Sequence, residues 1–100
     1  MEKDNISSLK ILKEIEKRKN ELSKRGVKKI GLFGSVAENK HNKNSDIDII
    51  VSFDKPSFDS YMELKFLLEK IFKRKVDLVM EKSLRPELKY IKKEAKYARI

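Results

Sequence analysis

Apolar residues recur along the first quarter of the chain at steps of three and four: Ile6, Leu9, Leu12, Ile15 and Leu22, with Ile11 widening the stripe. That spacing predicts an amphipathic helix over residues 6–25. Asn5 or Ser7 is placed to cap its start and Gly26 to stop it. The period then changes. Residues 27–33, VKKIGLF, are short and β-rich and predict a strand, whereas residues 38–45, ENKHNKNS, are polar throughout and predict a loop. Residues 46–53, DIDIIVSF, alternate: Ile47, Ile49, Val51 and Phe53 on one side, Asp46, Asp48, Ile50 and Ser52 on the other. Pro56 ends that strand. A second helix is predicted over residues 57–73, where Phe58, Tyr61, Met62, Leu68, Ile71 and Phe72 form a stripe broadened by Leu64 and Leu67. VDLVM, residues 76–80, predicts a third strand, and residues 85–98 a last helix with Pro86 in its first turn.

The order is therefore α-β-β-α-β-α. A strand, a crossover helix and a further strand make a right-handed unit with the two strands parallel. The first two strands, joined by the polar loop, suit an antiparallel pair. The expected fold is α/β (α+β), a small mixed β-sheet with helices packed on one face and the other face partly open. With no repeat or linker in its 100 residues, the chain is expected to form one domain over residues 1–100.

Charge in the second strand needs a reason. Asp46 and Asp48 are two apart, so they share a face, roughly 6.5–7 Å apart along the backbone. Two ionised carboxylates so close repel unless a cation lies between them. Magnesium suits such a place, because it takes oxygen ligands and completes its shell with water and substrate phosphates. Asp77 sits in the third strand with Val76 and Leu78 pointing away from it. If that strand lies parallel beside the second, three carboxylates share one face, enough to hold two metal ions for phosphoryl or nucleotidyl transfer. Gly34-Ser35 follows the first strand directly. Glycine lets a backbone turn tightly against a phosphate, and Ser35 is placed to cap a short helix whose free N–H groups would face an anion.

Composition narrows the classes. The net charge of +9, with 41% charged residues, makes anionic partners plausible, although lysine and glutamate alternate as on a solvated helix face. There is no cysteine, so neither a disulfide framework nor a thiolate metal site is available. The start of the chain is charged with no apolar segment after it, and the longest apolar runs are four or five residues, too short for a membrane span. A cytoplasmic protein is expected.

Gly34-Ser35, ten residues, then Asp46-Ile47-Asp48, with Asp77 in a following strand, resembles the signature of the DNA polymerase β-like nucleotidyltransferase superfamily. The chain is similar to its minimal nucleotidyltransferase (MNT) proteins from about Val27 to Ala98. The resemblance implies a polymerase β-like palm that binds ATP with two Mg2+ ions. Asp46 and Asp48 would ligate metal and triphosphate. Asp77 would bind the catalytic metal and help activate the acceptor hydroxyl. Gly34 and Ser35 would hold the β- and γ-phosphates.

The resemblance also implies a partner, a HEPN-domain ribonuclease toxin for which such proteins act as antitoxins. Some move AMP from ATP onto a tyrosine of that partner. The family often continues the serine with x-Ala-Arg-Gly; this chain reads Val36-Ala37-Glu38-Asn39, which lacks the arginine and the glycine. Lys40 or Lys43 is placed to supply the missing positive charge. His41 reads as a solvated loop residue. Tyr90 and Tyr97 are expected on one face of the last helix, in packing or in acceptor contact. Two other readings stay open: a non-catalytic antitoxin that acts by binding, and a basic nucleic-acid-binding module.

Overall fold

A computed structural model describes residues 7–40 and 45–100. His41 and Lys43 lie outside the described residues. The chain runs α1 (Ser8–Lys17), α2 (Lys19–Lys24), β1 (Val27–Phe33), α3 (Gly34–Ala37), β2 (Ile47–Phe53), α4 (Phe58–Phe72) and β3 (Val76–Met80). Short 3-10 turns at Glu81–Ser83 and Pro86–Leu88 follow, then α5 (Tyr90–Glu94) and β4 (Lys96–Tyr97). The four strands form one mixed sheet in the order β3-β2-β1-β4. β1 pairs antiparallel with β2 and β4, and β2 pairs parallel with β3.

The expected antiparallel and parallel pairs are both present, and so is the helical layer. Ile11, Ile15 and Leu22 from α1 and α2 and Leu64 and Leu68 from α4 form one core with Ile30, Leu32, Ile47, Ile49, Val51, Val76 and Leu78 of the sheet. The helical stripes are narrower than the sequence pattern suggested: Leu9 and Phe58 are exposed, and the fully buried positions are Ile11, Ile15, Leu22, Leu64 and Leu68. Ser7 caps α1, its Oγ accepting from the Lys10 N–H. The predicted first helix is divided at Arg18, whose backbone leaves the helical region at φ −106°, ψ 20°. Ser57 caps α4, and Lys73 closes it in the left-handed conformation.

The predicted last helix is not continuous. Ala95 turns extended, and Lys96–Tyr97 pair with Leu32 and Gly31 on the edge of β1. The Ala98 N–H also donates to the Ile30 carbonyl at 2.9 Å. Without β4 the outer backbone groups of β1 would face no partner, and satisfying them outweighs the helix propensity of this segment. Tyr90 and Tyr97 consequently lie on different elements. Tyr97 packs its ring across Gly31, where a Cβ would lie 2.9 Å from both the ring and the Lys96 carbonyl. Gly31→Ala is therefore expected to cost about 1–3 kcal/mol, the range for overpacking, and to release β4. Denaturant unfolding and hydrogen exchange at Ala98 measure the two effects.

Gly31 faces the side of the sheet opposite the helices, together with Ile50, its partner on β2, and Val79, the partner of Ile50 on β3. The turn at Glu81–Ser83 contacts β2 there. Glu81 sits between Lys29 at 3.5 Å and Lys92 at 3.9 Å, and the Lys29 ammonium lies 5.3 Å from the Tyr97 ring centre. The C-terminal segment thus closes over half of this face, and Ile50 is fully buried although it points away from the main core. The other half, at the start of β2 and β3, stays open.

Candidate nucleotide-transfer site

The parallel register sets Asp48 directly beside Asp77. One residue out of step, the two carboxylates would point to opposite faces. Two hydrogen bonds hold that register at its open end: the Ile47 N–H donates to the Lys75 carbonyl at 3.0 Å, and the Arg74 guanidinium donates to the Ser45 carbonyl at 3.0 Å. Arg74 was not singled out in the sequence. Within Lys73-Arg74-Lys75 it reads as one more solvated cation, and only the fold shows that it ties the segment before Asp46 to the start of β3.

β1 runs the other way, so its C-terminal end meets the start of β2, with Phe33 opposite Asp48. Gly34 comes next, with φ +75°. A Cβ there would overlap the Asp48 Oδ2 and lie 3.1 Å from its Cγ. Glycine is thus required twice, by the left-handed backbone and by the carboxylate packed against it. The structure brings Gly34, Asp48 and Asp77 to one end of the open face, and Asp46 enters β2 beside them.

The electrostatics follow from that convergence. The Asp48 carboxyl is pushed up from 3.8 to about 6, first by partial burial, then by the charges of Asp77 and Asp46, and last by a hydrogen bond to Asp77. Burial and neighbouring like charges both disfavour the ionised form. Among the described residues, no three His, Cys, Asp or Glu side chains already stand as a closed ligand set for one ion. Magnesium does not require one, since one or two carboxylates with water and phosphate oxygens complete its octahedron. The donor set here, all carboxylate oxygen, fits that ion.

Around the turn the structure departs from the expectations in detail. α3 begins at Gly34 itself with Phe33 as its cap residue, so Ser35 is the second residue of the helix and not its cap. The Lys40 ammonium lies 3.4 Å from Glu38, and its backbone N–H donates to the Ser35 carbonyl at 2.9 Å, closing the turn. Asn39 has φ +59°, the conformation that glycine adopts freely and asparagine tolerates. Asn39 therefore supplies the backbone role of the glycine missing from the motif. Its side chain also bonds Ser8 of α1, accepting from the backbone N–H at 2.9 Å and donating to the hydroxyl at 3.3 Å. The missing arginine has no such substitute at Glu38. Beside the turn a cleft of about 330 Å3 is lined by Phe33, Gly34, Ala37 and Glu38 and, from the C-terminal segment, by Tyr90, Ile91, Glu94 and Lys96. Among the described residues no helix is long and apolar enough to cross a membrane.

Comparison with known proteins agrees with this geometry. The protein adenylyltransferase MntA of Thermococcus cleftensis is 42% identical over 80 residues, covering 74% of this chain and 81% of the relative. A solved toxin-antitoxin structure with AMP-PNP superposes with a TM-score of 0.60 at 30% identity, covering 73% of this chain and 62% of that one. A structure of tri-AMPylated Shewanella oneidensis HEPN toxin in complex with MNT antitoxin superposes at 0.53 with 27% identity, over 77% of this chain and 61% of that one. The family described as nucleotidyltransferase domain matches residues 10–100. With its Gly-Ser turn packed on an aspartate pair at the mouth of a mixed sheet, this chain belongs to the nucleotidyltransferase domain family.

Proposed function

We propose that residues 1–100 act as a single cytoplasmic nucleotidyltransferase domain that moves AMP from Mg-ATP to a tyrosine of a cognate HEPN toxin and thereby serves as its antitoxin. The observation that carries this reading is the contact between the Gly34 turn and the Asp48 carboxylate, with Asp77 in register beside it. Gly34 and Ser35 hold the β- and γ-phosphates. Asp46, Asp48 and Asp77 would hold two magnesium ions, which when bound neutralise the charge gathering on the phosphate oxygens. Asp77 orients the tyrosine hydroxyl and takes its proton. The tyrosine oxygen forms the new bond to the α-phosphorus, the α–β bridging bond breaks, and its electron pair leaves with pyrophosphate.

The test uses ATP labelled with phosphorus-32 at the α or the γ position, magnesium and the cognate HEPN toxin. Label from the α position alone is expected on a toxin tyrosine. Label from the γ position means phosphorylation and overturns the assignment, as does no label at all. A second reading, neutralisation by binding without transfer, is favoured by one feature: Glu38 stands where the motif has arginine, and Lys40 pairs with it. It predicts a toxin silenced by complex formation but unlabelled.

Magnesium affinity is expected to fall as the pH falls through about 6, because Asp48 regains its proton there. Calorimetric titration of magnesium between pH 8 and pH 5 measures it. An affinity unchanged across that window would place the metal away from Asp48.

A further inference from the structure

β3 is an outer strand of the sheet, so one of its two sides has no neighbouring strand to hold it. The Lys75 carbonyl turns inward to β2, where it accepts from Ile47, and the two-residue period of the strand turns the backbone of Asp77 inward as well. The backbone groups on either side of Asp77, at Val76 and Leu78, therefore face outward. Left unpaired, N–H and C=O groups along such an edge leave a strand loosely held and open to other chains.

Two side chains of α4 close the edge at both of those residues. The Val76 N–H donates to the Glu69 carboxylate at 2.9 Å, and the Tyr61 hydroxyl donates to the Leu78 carbonyl at 2.6 Å. Between them, one turn of helix from each, the Lys65 ammonium donates to the same Glu69 oxygen at 2.9 Å and fixes its carboxylate. Glu69 is otherwise badly placed, because it lies in the last turn of α4, where the helix dipole disfavours negative charge. Tyr61 packs against the core, where phenylalanine would fill the same space with no hydroxyl to satisfy. Both polar groups serve the backbone of β3, one on each side of Asp77.

We propose that Glu69 and Tyr61 are positioning residues for Asp77: by pinning the backbone before and after it, they hold its carboxylate where it can share metal with Asp46 and Asp48. The inference rests on the adenylyl-transfer reading, in which Asp77 is a metal ligand, and adds what keeps that ligand in place. The demand is strict, since such a constellation must be held to within roughly 0.5 Å. Asp77 is exposed, so core packing does not fix it and the backbone must.

Titration of the nucleotide-free protein with Mn2+, the unbound ion read by electron paramagnetic resonance, tests this without turnover. Tyr61→Phe and Glu69→Ala are each expected to weaken binding about ten-fold, the scale for groups that orient a metal ligand. In an Asp77→Asn background the same changes should cost about two-fold at most, since they act through Asp77. Glu69→Gln keeps an oxygen able to accept from Val76 and should stay within about two-fold of the unaltered protein. In the transfer assay, Tyr61→Phe should lower kcat and leave the KM for ATP unchanged. Affinity untouched by Tyr61→Phe and Glu69→Ala overturns the proposal and leaves the pair as a guard of the strand edge. A loss that is equal with and without Asp77 also overturns it and makes the pair a prop of the fold, and so does Glu69→Gln behaving as Glu69→Ala. Failure of the transfer reading has its own signature: Asp77→Asn alone would leave Mn2+ affinity intact, and the proposal would fall with it.

Discussion

Replacing Asp48 with asparagine is expected to abolish transfer and, at the same time, to raise the melting temperature of the metal-free protein. Asparagine keeps the size of the side chain and removes its charge. Transfer should fall by about 10³-fold or more, the scale on which a group that organises transition-state charge contributes. The stability gain has the opposite origin. Between 3.8 and about 6, the folded protein keeps the Asp48 proton that the unfolded chain has already released. Folding is therefore progressively disfavoured as pH rises through that window, and the full penalty is present above it. Asp48 is only half-buried, so the shift is discounted to ~1 kcal/mol, equivalent to about 4–8 °C in a domain of this size. The gain should be present at pH 8 and gone below pH 4. Thermal melts of both proteins at the two pH values, without metal, measure it, and magnesium should stabilise only the aspartate form. A variant that loses transfer and also melts lower at pH 8 would mean that Asp48 is structural. A variant that still silences the toxin would favour neutralisation by binding.

Gly34→Ala is expected to damage both folding and nucleotide binding. The added Cβ must displace the Asp48 carboxylate, and the left-handed backbone adds strain for any L-residue. Together these are expected to cost about 2–6 kcal/mol, the sum of an overpacking term and a backbone term. Mg-ATP affinity should fall at least about 100-fold, because the turn and the carboxylate move together. A double-mutant cycle separates the two causes. In an Asp48→Ala background the overlap disappears and only the backbone strain remains, so the stability cost of Gly34→Ala should drop by half or more. Costs that simply add would show that the turn and the carboxylate are not coupled.

Much of the architecture was legible in the chain because local chemistry and tertiary demand agree. β1 and β3 have the bounds that their β-rich runs predicted, and β2 starts one residue late. The alternation in DIDIIVSF assigned the faces correctly, since one face of β2 packs on the helices. The segment after β3 was not legible. Its composition favours helix, but the edge of β1 leaves backbone groups that need partners, and no local pattern in residues 95–98 announces that need. Ile50 is a similar case. Alternation puts it on the open side, yet it is fully buried, and the period of the strand alone does not tell which part of that face the rest of the chain covers.

By itself the sequence determined the chemistry available: a glycine-serine turn, three aspartates at strand spacing and no thiol. It also determined the faces, because the two-residue period of a strand is local. The tertiary structure alone decided how these parts meet. The parallel register puts Asp48 opposite Asp77, the antiparallel return of β1 presses Gly34 against Asp48, and Arg74 and Asn39 tie the surrounding loops. Register and contact depend on residues distant along the chain burying a common core, which no single stretch of sequence specifies.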